Sequence, residues 1–217
     1  MTLQELINKK AKRGMTVISD VDGVHTTRAG GVRIGPKLEA GQPLIEVKDG
    51  LEILRLVPAD VGARDIEVVL GGFSGLDVWE FYRFHTPDGQ AVQNLLKANI
   101  RTIITSGRKA APVQHRFGKT LQYDCGESVI RPEVYLGVKD KLQFFSDMNV
   151  DFSNSFFIAD GAQDAPLLEA VRKAGGISIA TADAEEMAIK ASDIQTQAKG
   201  GEGAFAELVQ AYLDFIK

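Results

Sequence analysis

Short apolar runs that alternate with helical segments constrain the fold of this chain more than any other feature of its sequence. Residues 100–105 (IRTIIT), 155–159 (SFFIA) and 176–180 (GISIA) have the apolar or β-branched composition of buried strands, and segments of helical periodicity lie between them. Residues 15–19 (MTVIS) form a similar run near the amino terminus. Strands and helices that alternate at this spacing predict an α/β fold with a doubly wound parallel sheet.

The stretch between the first strand and the rest of this pattern has a different character. Glycines divide residues 24–85 into short pieces such as PLIEV and DIEVVL, which favour extended hairpins, although residues 50–57 (GLEILRLV) also fit one helix. We therefore expect a strand-rich insertion at about 28–83, after the first strand. The chain has 217 residues, which is enough for a single domain, 1–217, that carries this insertion.

Polar and acidic side chains follow three of the predicted strands. Because the carboxyl ends of parallel strands meet at one edge of a sheet, we expect these side chains to share a crevice. Four carboxylates in one crevice repel one another strongly unless a cation is present. Carboxylate oxygens together with a substrate phosphate are the ligands that Mg²⁺ prefers. The residues concerned are Asp20 and Asp22 after the first strand, Ser106, Gly107 and Arg108 after the second, Asp160 and Asp164 after the third, and Lys141 at the start of a helix.

This set of side chains predicts phosphoryl chemistry. An aspartate near a metal can attack phosphorus and form an aspartyl-phosphate, and a second carboxylate can protonate the leaving oxygen and later activate water. The pair Asp20 and Asp22 is predicted to divide these two roles. Lys141, the Ser106 hydroxyl and backbone N–H groups would hold the phosphoryl group, and Arg108 is predicted to face a substrate phosphate or carboxylate.

The order of these motifs resembles that of the haloacid dehalogenase superfamily. Its phosphatases carry D-x-D, then Ser or Thr, then Lys, then D-x-x-x-D, and this chain has each motif in that order. Residues 20–27 (DVDGVHTT), 156–171 (FFIADGAQDAPLLEAV) and 199–208 (KGGEGAFAEL) further resemble the branch that contains 3-deoxy-D-manno-octulosonate 8-phosphate phosphatases and nonulosonate 9-phosphate phosphatases. The resemblance covers the first strand and nearly everything from about residue 84 onward, but not most of 28–83.

The resemblance implies a Rossmann-like haloacid dehalogenase core without a helical cap, and Mg²⁺-dependent hydrolysis of a phosphate monoester through a phospho-aspartate. The implied substrate is a phosphorylated acidic sugar, such as a 3-deoxy-octulosonate or nonulosonate phosphate. Asp164 is implied to orient Lys141 or a metal-bound water. The other implied site residues are Asp20, Asp22, Ser106 and Lys141 for catalysis, Ser106, Gly107, Arg108 and Lys141 for substrate binding, and Asp20, Asp22 and Asp160 for the metal.

A few residues fall outside this pattern. His25 stands where the family usually has leucine. Lys139 competes with Lys141 for the motif lysine, and we interpret Lys139 as a surface charge. Residues 199–203 (KGGEG) match neither a dinucleotide-binding fingerprint nor a P-loop, and they are predicted to form a turn before the last helix.

Two alternative functions remain open at this point. One is a binding or regulatory module that has kept the fold but lost turnover, which the long insertion suggests. The other is a phosphomutase, although mutases of this superfamily carry a helical cap, for which the glycine-rich insertion is a poor candidate. Asp22 argues against two further classes, since dehalogenases lack that acid and cation-pumping ATPases have threonine there.

Charge and composition bound the partners and the compartment. The net charge is −4 and no block of basic residues occurs, so nothing in the sequence favours nucleic acid or an anionic membrane surface. No segment has the length and apolarity to span a bilayer, and the single cysteine, Cys125, favours a reducing compartment, so the cytoplasm is expected. Relatives in the branch form homotetramers, and the apolar pieces of residues 28–83 predict a homo-oligomer, a tetramer, built through that stretch.

Overall fold

The computed structural model describes residues 1–27, 32–36, 45–48, 51–56, 66–72, 78–126 and 128–217. Its strands are β1 (Thr16–Asp20), β2 (Val32–Pro36), β3 (Ile45–Lys48), β4 (Leu51–Leu56), β5 (Ile66–Gly72), β6 (Val78–His85), β7 (Thr102–Ser106), β8 (Tyr123–Asp124), β9 (Val129–Ile130), β10 (Glu133–Leu136), β11 (Ser155–Ala159), β12 (Ile177–Ala180) and β13 (Ile194–Gln195). Its α-helices are α1 (Leu3–Lys10), α2 (Thr86–Lys97), α3 (Ala111–His115), α4 (Lys141–Asp147), α5 (Ala165–Ala174), α6 (Glu186–Ala191) and α7 (Ala204–Ile216).

The central sheet has six strands in the order β10-β7-β1-β11-β12-β13, and every pair in it is parallel. All residues of β7 and of β11 are buried, as expected for strands that are covered on both faces. Consecutive residues of β1 point to opposite faces, so Val17 packs in the cluster with α1 and α7, and Ile18 packs in the cluster with α4 and α5. The predicted doubly wound parallel sheet is confirmed.

Local sequence signals determine where α4 begins and where α5 ends. Both helices begin at the edge of the sheet where its strands end. Asp140 is the N-cap of α4, because its carboxylate accepts a hydrogen bond from the Gln143 backbone N–H at 2.9 Å. This cap makes Lys141 the first residue of the helix. Helix α5 begins directly after Asp164 and ends at Ala174. Its C-cap is Gly175, whose φ of 95° lies in the left-handed region that glycine adopts without steric cost.

The insertion forms a second, antiparallel sheet. Its five strands have the order β2-β6-β5-β4-β3, which agrees with the strand-rich insertion expected from the sequence. Residues 51–56, which also fit a helix in sequence, form β4 because they pair with β3 and β5. Residues 28–31, where the insertion is expected to begin, lie outside the described residues, and the single domain 1–217 stays a prediction.

The end of the insertion is anchored in the core of the main domain. Tyr82 and Phe84 of β6 are buried, and their rings stack with centroids 5.7 Å apart. Phe84 also meets the edge of Phe117 at 5.7 Å. Strand β6 then continues directly into α2. Among the described residues, no helix is both long and apolar enough to cross a membrane.

Candidate functional site

The carboxyl ends of β1, β7 and β11 border a cavity of about 570 Å³, together with the start of α4. The sheet topology explains this meeting point, because these three strands are neighbours and parallel. Ser106 and Asp164 are fully buried and do not line the cavity itself. The other residues predicted for the site all line it: Asp20, Asp22, Gly107, Arg108, Lys141 and Asp160.

Lys141 lies between two buried carboxylates. Its Nζ atom donates to Asp20 Oδ1 at 2.5 Å and lies 2.6 Å from Asp164 Oδ1. Burial alone would lower the pKa of Lys141, but the charges of Asp20 and Asp164 outweigh it and the pKa is raised. Burial, followed by the charge of Asp20, raises the pKa of Asp164 to about 7 although Lys141 opposes the shift. The lysine therefore stays charged and fixes the position of Asp20.

Asp22 belongs to a second hydrogen-bonded group. The Ser106 hydroxyl donates to Asp22 Oδ2 at 3.1 Å, and the Arg108 backbone N–H donates to Ser106 Oγ at 3.0 Å. Burial, followed by the charge of Asp20, raises the pKa of Asp22, while the Ser106 hydrogen bond and the charges of Arg108 and Lys141 oppose the shift. A raised pKa favours the protonated carboxyl that a general acid needs.

Three carboxylates lie close enough together to hold one metal ion. Asp20, Asp160 and Asp164 each offer an oxygen atom, and these three atoms lie within 4.8 Å of one another. Asp20 Oδ2 is buried and has no hydrogen-bond partner among the described residues, as expected of a carboxylate oxygen that binds a cation. A set of carboxylate oxygens beside a phosphate site suits Mg²⁺. The residues present therefore fit the predicted ion.

The composition of this acidic group differs from the predicted ligand set in one member. The sequence predicts Asp22 as a ligand and Asp164 as a supporting residue. In the structure, Asp164 joins Asp20 and Asp160, while the Asp22 side chain is bonded to Ser106. Ligation by Asp20 and Asp160 is common to both sets, and a direct role for Asp22 on the metal stays a prediction.

The cavity also contains residues that the motifs do not reveal. Lys139 is exposed, as expected of a surface charge, but it lines the cavity as well. The reason is that Val138 N donates to Ser106 O at 3.0 Å and so aligns this loop with the loop after β7. The position of Lys139 two residues before Lys141 is the one sequence signal that could have shown it. Thr26, Thr27 and Gln163 also line the cavity, and they lie within the stretches 20–27 and 156–171 that resemble the phosphatase branch, where no role is predicted for them. Glu185 lines the cavity as well, and no motif in the sequence marks it.

Comparison with known proteins identifies the relatives of this chain. No family model matches it. The 3-deoxy-D-manno-octulosonate 8-phosphate phosphatase of Salmonella typhi is 31% identical over 167 residues, which are 75% of this chain and 80% of that protein. The enzyme of the same name from Escherichia coli (strain B / BL21-DE3) is 30% identical over 173 residues, which are 72% of this chain and 85% of that protein.

Solved structures show the same fold. The crystal structure of the phosphatase of this name from Moraxella catarrhalis, in complex with magnesium ion, phosphate ion and a KDO molecule, has a TM-score of 0.62 at 22% identity and covers 97% of this chain and 92% of that chain. The cobalt-bound enzyme of Haemophilus influenzae has a TM-score of 0.55 at 24% identity and covers 96% of this chain and 90% of that one. Because relatives at 30% identity or more match most of its length, the chain belongs to the 3-deoxy-D-manno-octulosonate 8-phosphate phosphatase family.

Proposed function

We propose that this protein is a Mg²⁺-dependent phosphatase that hydrolyses a phosphorylated acidic sugar through a phospho-aspartate. The observation that carries the proposal is the buried pair of Asp20 and Lys141 beside the hydrogen-bonded pair of Asp22 and Ser106. These two pairs provide a positioned nucleophile and a carboxyl of raised pKa at one end of a cavity. The names of the relatives state the same activity for those proteins.

Asp20 is the proposed nucleophile. Lys141 donates to Oδ1 of its carboxylate and so holds the carboxylate in a fixed position at the cavity. Attack of the Asp20 carboxylate on phosphorus forms the aspartyl-phosphate as the bond to the leaving sugar oxygen breaks. Mg²⁺ held by Asp20 and Asp160, with Asp164 beside them, would neutralise negative charge on the transferring phosphoryl group.

Asp22 is the proposed acid and base. In its protonated form it gives a proton to the leaving sugar oxygen, and the resulting carboxylate then takes a proton from water as this water attacks the phosphorus of the aspartyl-phosphate. The second step breaks the bond to Asp20 and releases phosphate, so both aspartates return to their starting states. The hydrogen bond from Ser106 holds Asp22 in place through both steps.

The cavity provides cationic groups for an anionic substrate. Arg108 and Lys139 line the cavity together with Lys141, which lies between two carboxylates. Guanidinium and ammonium groups bind phosphate and carboxylate through charge-assisted hydrogen bonds. This supports a substrate with two anionic ends, such as the phosphate of a keto-sugar acid.

The alternative functions have less support. A module that has lost turnover would be expected to lack some motif residues, whereas the nucleophile, the acid and the lysine all lie together here. A mutase would be expected to carry a helical cap, whereas the elements described within residues 32–85 are strands.

We further propose that the protein works in the cytoplasm as a homotetramer built through residues 28–83. Among the described strands of this insertion, β2 and β3 are the outer ones, and each pairs with one described neighbour. Outer strands of this kind can pair with another chain. A neighbouring subunit at such an edge would add protein contacts for the sugar end of the substrate.

The test is phosphate release from a panel of substrates with and without Mg²⁺. We expect a 3-deoxy-octulosonate or nonulosonate phosphate to be hydrolysed with a kcat/KM about 100-fold or more above that of glycerol phosphate. Removal of Mg²⁺ with a chelator should stop the reaction, and its return should restore it. Equal efficiency on glycerol phosphate would contradict the substrate class, and no release from any compound would favour the inactive module.

A further inference from the structure

Residues 199–203 (KGGEG) are predicted as a simple turn, yet they pack directly against the segment that follows the two site aspartates. The Gly201 backbone N–H donates to Val24 O at 2.7 Å. A β-carbon placed on Gly200 would overlap the carbonyl group of Gly23. Two backbone segments that are 177 residues apart in sequence therefore touch without an intervening side chain.

The second glycine makes a similar contact with the cavity wall. A β-carbon on Gly201 would overlap the backbone of Thr26 and Thr27, and both threonines line the cavity. Gly201 also has a φ of +67°, which lies in the left-handed region. The position therefore has neither the space nor the backbone conformation for another residue.

Gly23 also packs against Asp160, one of the three carboxylates that could hold the metal ion. Its φ is +74°, and a β-carbon on Gly23 would overlap the carboxylate of Asp160. Gly200 therefore contacts Gly23, and Gly23 in turn contacts the side chain of Asp160. Because close-packed groups cannot move independently, a displacement at Gly200 would shift Gly23 towards Asp160 or remove the contact between them.

The loop between β12 and α6 forms hydrogen bonds with both Gly200 and Asp160. The carboxylate of Asp183 accepts from the Gly200 backbone N–H at 3.0 Å. Two residues later, the Glu185 backbone N–H donates to Asp160 O at 2.8 Å, and the Glu185 carboxylate accepts from the Ala162 backbone N–H at 2.8 Å. The loop between β12 and α6 therefore holds the glycine turn and the Asp160 loop at a set separation.

We propose that Gly200 and Gly201 are positioning residues of the active site. Because these two glycines have no side chains, residues 23–27 can pack directly against residues 199–203. This packing determines how closely residues 23–27 approach Asp160, and therefore the geometry of the three carboxylates and of one cavity wall. The kinetic part of this inference rests on the proposed function. The structural part and the metal-binding part do not depend on turnover.

The experiment compares Gly200→Ala and Gly201→Ala with the control Gly14→Ala. Gly14 has a φ of +78°, close to that of Gly201, but a β-carbon there meets no atom of the described residues within 4 Å. The control therefore carries the cost of the backbone conformation without the steric overlap. Hydrogen exchange of residues 21–27, calorimetric titration with Mg²⁺ alone, and the kcat and KM for an aryl phosphate are measured on each folded variant.

We expect both test variants to exchange residues 21–27 faster and to bind Mg²⁺ with a Kd raised by about 10- to 100-fold, the range known for residues that support metal ligands. We also expect kcat to fall more than KM rises, while Gly14→Ala stays like the wild type in all three measurements. Unchanged Mg²⁺ affinity and kcat in a folded test variant would overturn the inference, even if its exchange is faster, because the contact would then be structural only.

A milder variant keeps the test decisive if the alanine variants do not fold. Asp183→Ala removes the acceptor of the Gly200 N–H and adds no atoms to the contact. We expect it to weaken Mg²⁺ binding several-fold in the same direction, and a wild-type Kd would overturn the inference. A wild-type protein that hydrolyses no phosphate ester would contradict the proposed function, while hydrogen exchange and Mg²⁺ titration would still decide this inference.

Discussion

Lys141 keeps its charge inside the protein because Asp20 and Asp164 lie on either side of its ammonium group. Removal of one partner of a buried ion pair leaves an uncompensated charge, which typically costs about 3–5 kcal/mol. Here the lysine has two partners, so neutralisation of Asp20 still leaves Asp164 beside it. Substitution of Asp20 can therefore separate its chemical role from its structural one.

Asp20→Asn replaces the proposed nucleophile with an amide of nearly the same shape. Because an amide oxygen does not attack phosphorus, we expect hydrolysis of an aryl phosphate to fall by at least about 1000-fold, or about 4 kcal/mol of transition-state free energy. The matched control is Asp214→Asn, which changes an exposed aspartate in α7. Near wild-type turnover of the Asp20 variant in a steady-state assay would rule out the phospho-aspartate on this residue.

Asp22→Asn should separate the two halves of the reaction. An aryl phosphate has a good leaving group that needs little protonation, so phosphorylation of Asp20 should continue, but the base that activates water for the second half would be missing. We expect the variant to accumulate one phosphoryl group per chain, which mass spectrometry of the intact protein detects. Rapid turnover with no accumulated phosphoprotein would show that Asp22 is not the base.

His25 gives the protein a specific sensitivity to acid. Its ring is fully buried, its Nε2 lies 3.1 Å from Ser19 Oγ, and its centroid lies 4.5 Å from that of Phe205. Burial lowers the pKa of His25 to about 4, while the charge of Asp88 opposes the shift and that of Arg116 adds to it. In the unfolded chain this pKa is about 6.5. Between these two values the unfolded chain binds a proton that the folded protein does not, so the free energy of unfolding falls as the pH falls.

The variant His25→Leu tests this linkage. Between pH 7 and pH 5 we expect the wild type to lose about 2 kcal/mol of unfolding free energy that the leucine variant retains, because leucine binds no proton. Urea unfolding at both pH values measures the difference. Above pH 7 the two proteins should show parallel pH dependence. Parallel curves down to pH 5 would contradict a buried neutral histidine.

At the scale of elements, α7 receives its N-terminal cap from another helix. Gly203 precedes α7 and has no side chain to cap it, but Asp88 in the first turn of α2 accepts from the Ala206 backbone N–H at 2.8 Å. Asp88 is buried, and His85 Nδ1 lies 3.2 Å from its other oxygen. This contact joins the end of the insertion sheet to the carboxyl-terminal helix.

Asp88→Ala leaves the partly buried Ala206 N–H without its acceptor. We expect it to lower the free energy of unfolding by about 2 kcal/mol, measured by urea titration at pH 7. Asp88→Asn retains an acceptor oxygen at the same place and should lose clearly less. If both variants lose the same amount, the charge of Asp88 rather than the cap to α7 determines its contribution.

Elements of the central sheet could be predicted because their signals are local. Strands β7, β11 and β12 begin and end within two residues of the apolar runs that predict them, since a strand buried on both faces needs a continuous apolar sequence. The site aspartates could be predicted for a related reason, because Asp20 ends β1, Asp22 lies two residues after it, and Asp160 directly follows β11. Their roles in catalysis and metal binding stay predictions.

The features that could not be predicted depend on contacts between distant parts of the chain. Residues 51–56 (LEILRL) fit both helical and strand periodicity, and only their pairing with β3 and β5 decides for a strand. The cap of α7 by Asp88 spans 118 residues, and the packing of KGGEG against residues 23–27 spans an even greater separation. Lys139 lines the cavity because its loop is bonded to the loop after β7, and apart from its position two residues before Lys141 the sequence gives no sign of this contact.

At the scale of the whole molecule, two sheets of different kinds are joined through β6. The parallel sheet carries the site at its carboxyl edge, and the antiparallel sheet follows β1 in sequence and returns to the core through Tyr82 and Phe84. The outer strands of an antiparallel sheet can pair with strands of other chains. The proposed tetramer would pair those edges within a closed assembly and so prevent open-ended association.

Light scattering after size exclusion tests the proposed assembly. We expect a mass near four times the 23.5 kDa of the chain at micromolar concentration, and a single chain's mass in denaturant as the control. If neighbouring subunits complete the sugar-binding side of each cavity, dilution below the dissociation range should raise KM for a keto-sugar-acid phosphate. KM for a small aryl phosphate should change little, because Asp20, Asp22 and Lys141 all belong to one chain. A monomer at micromolar concentration that still prefers the sugar phosphate would show that one subunit alone selects the substrate, and the tetramer would then have no part in specificity.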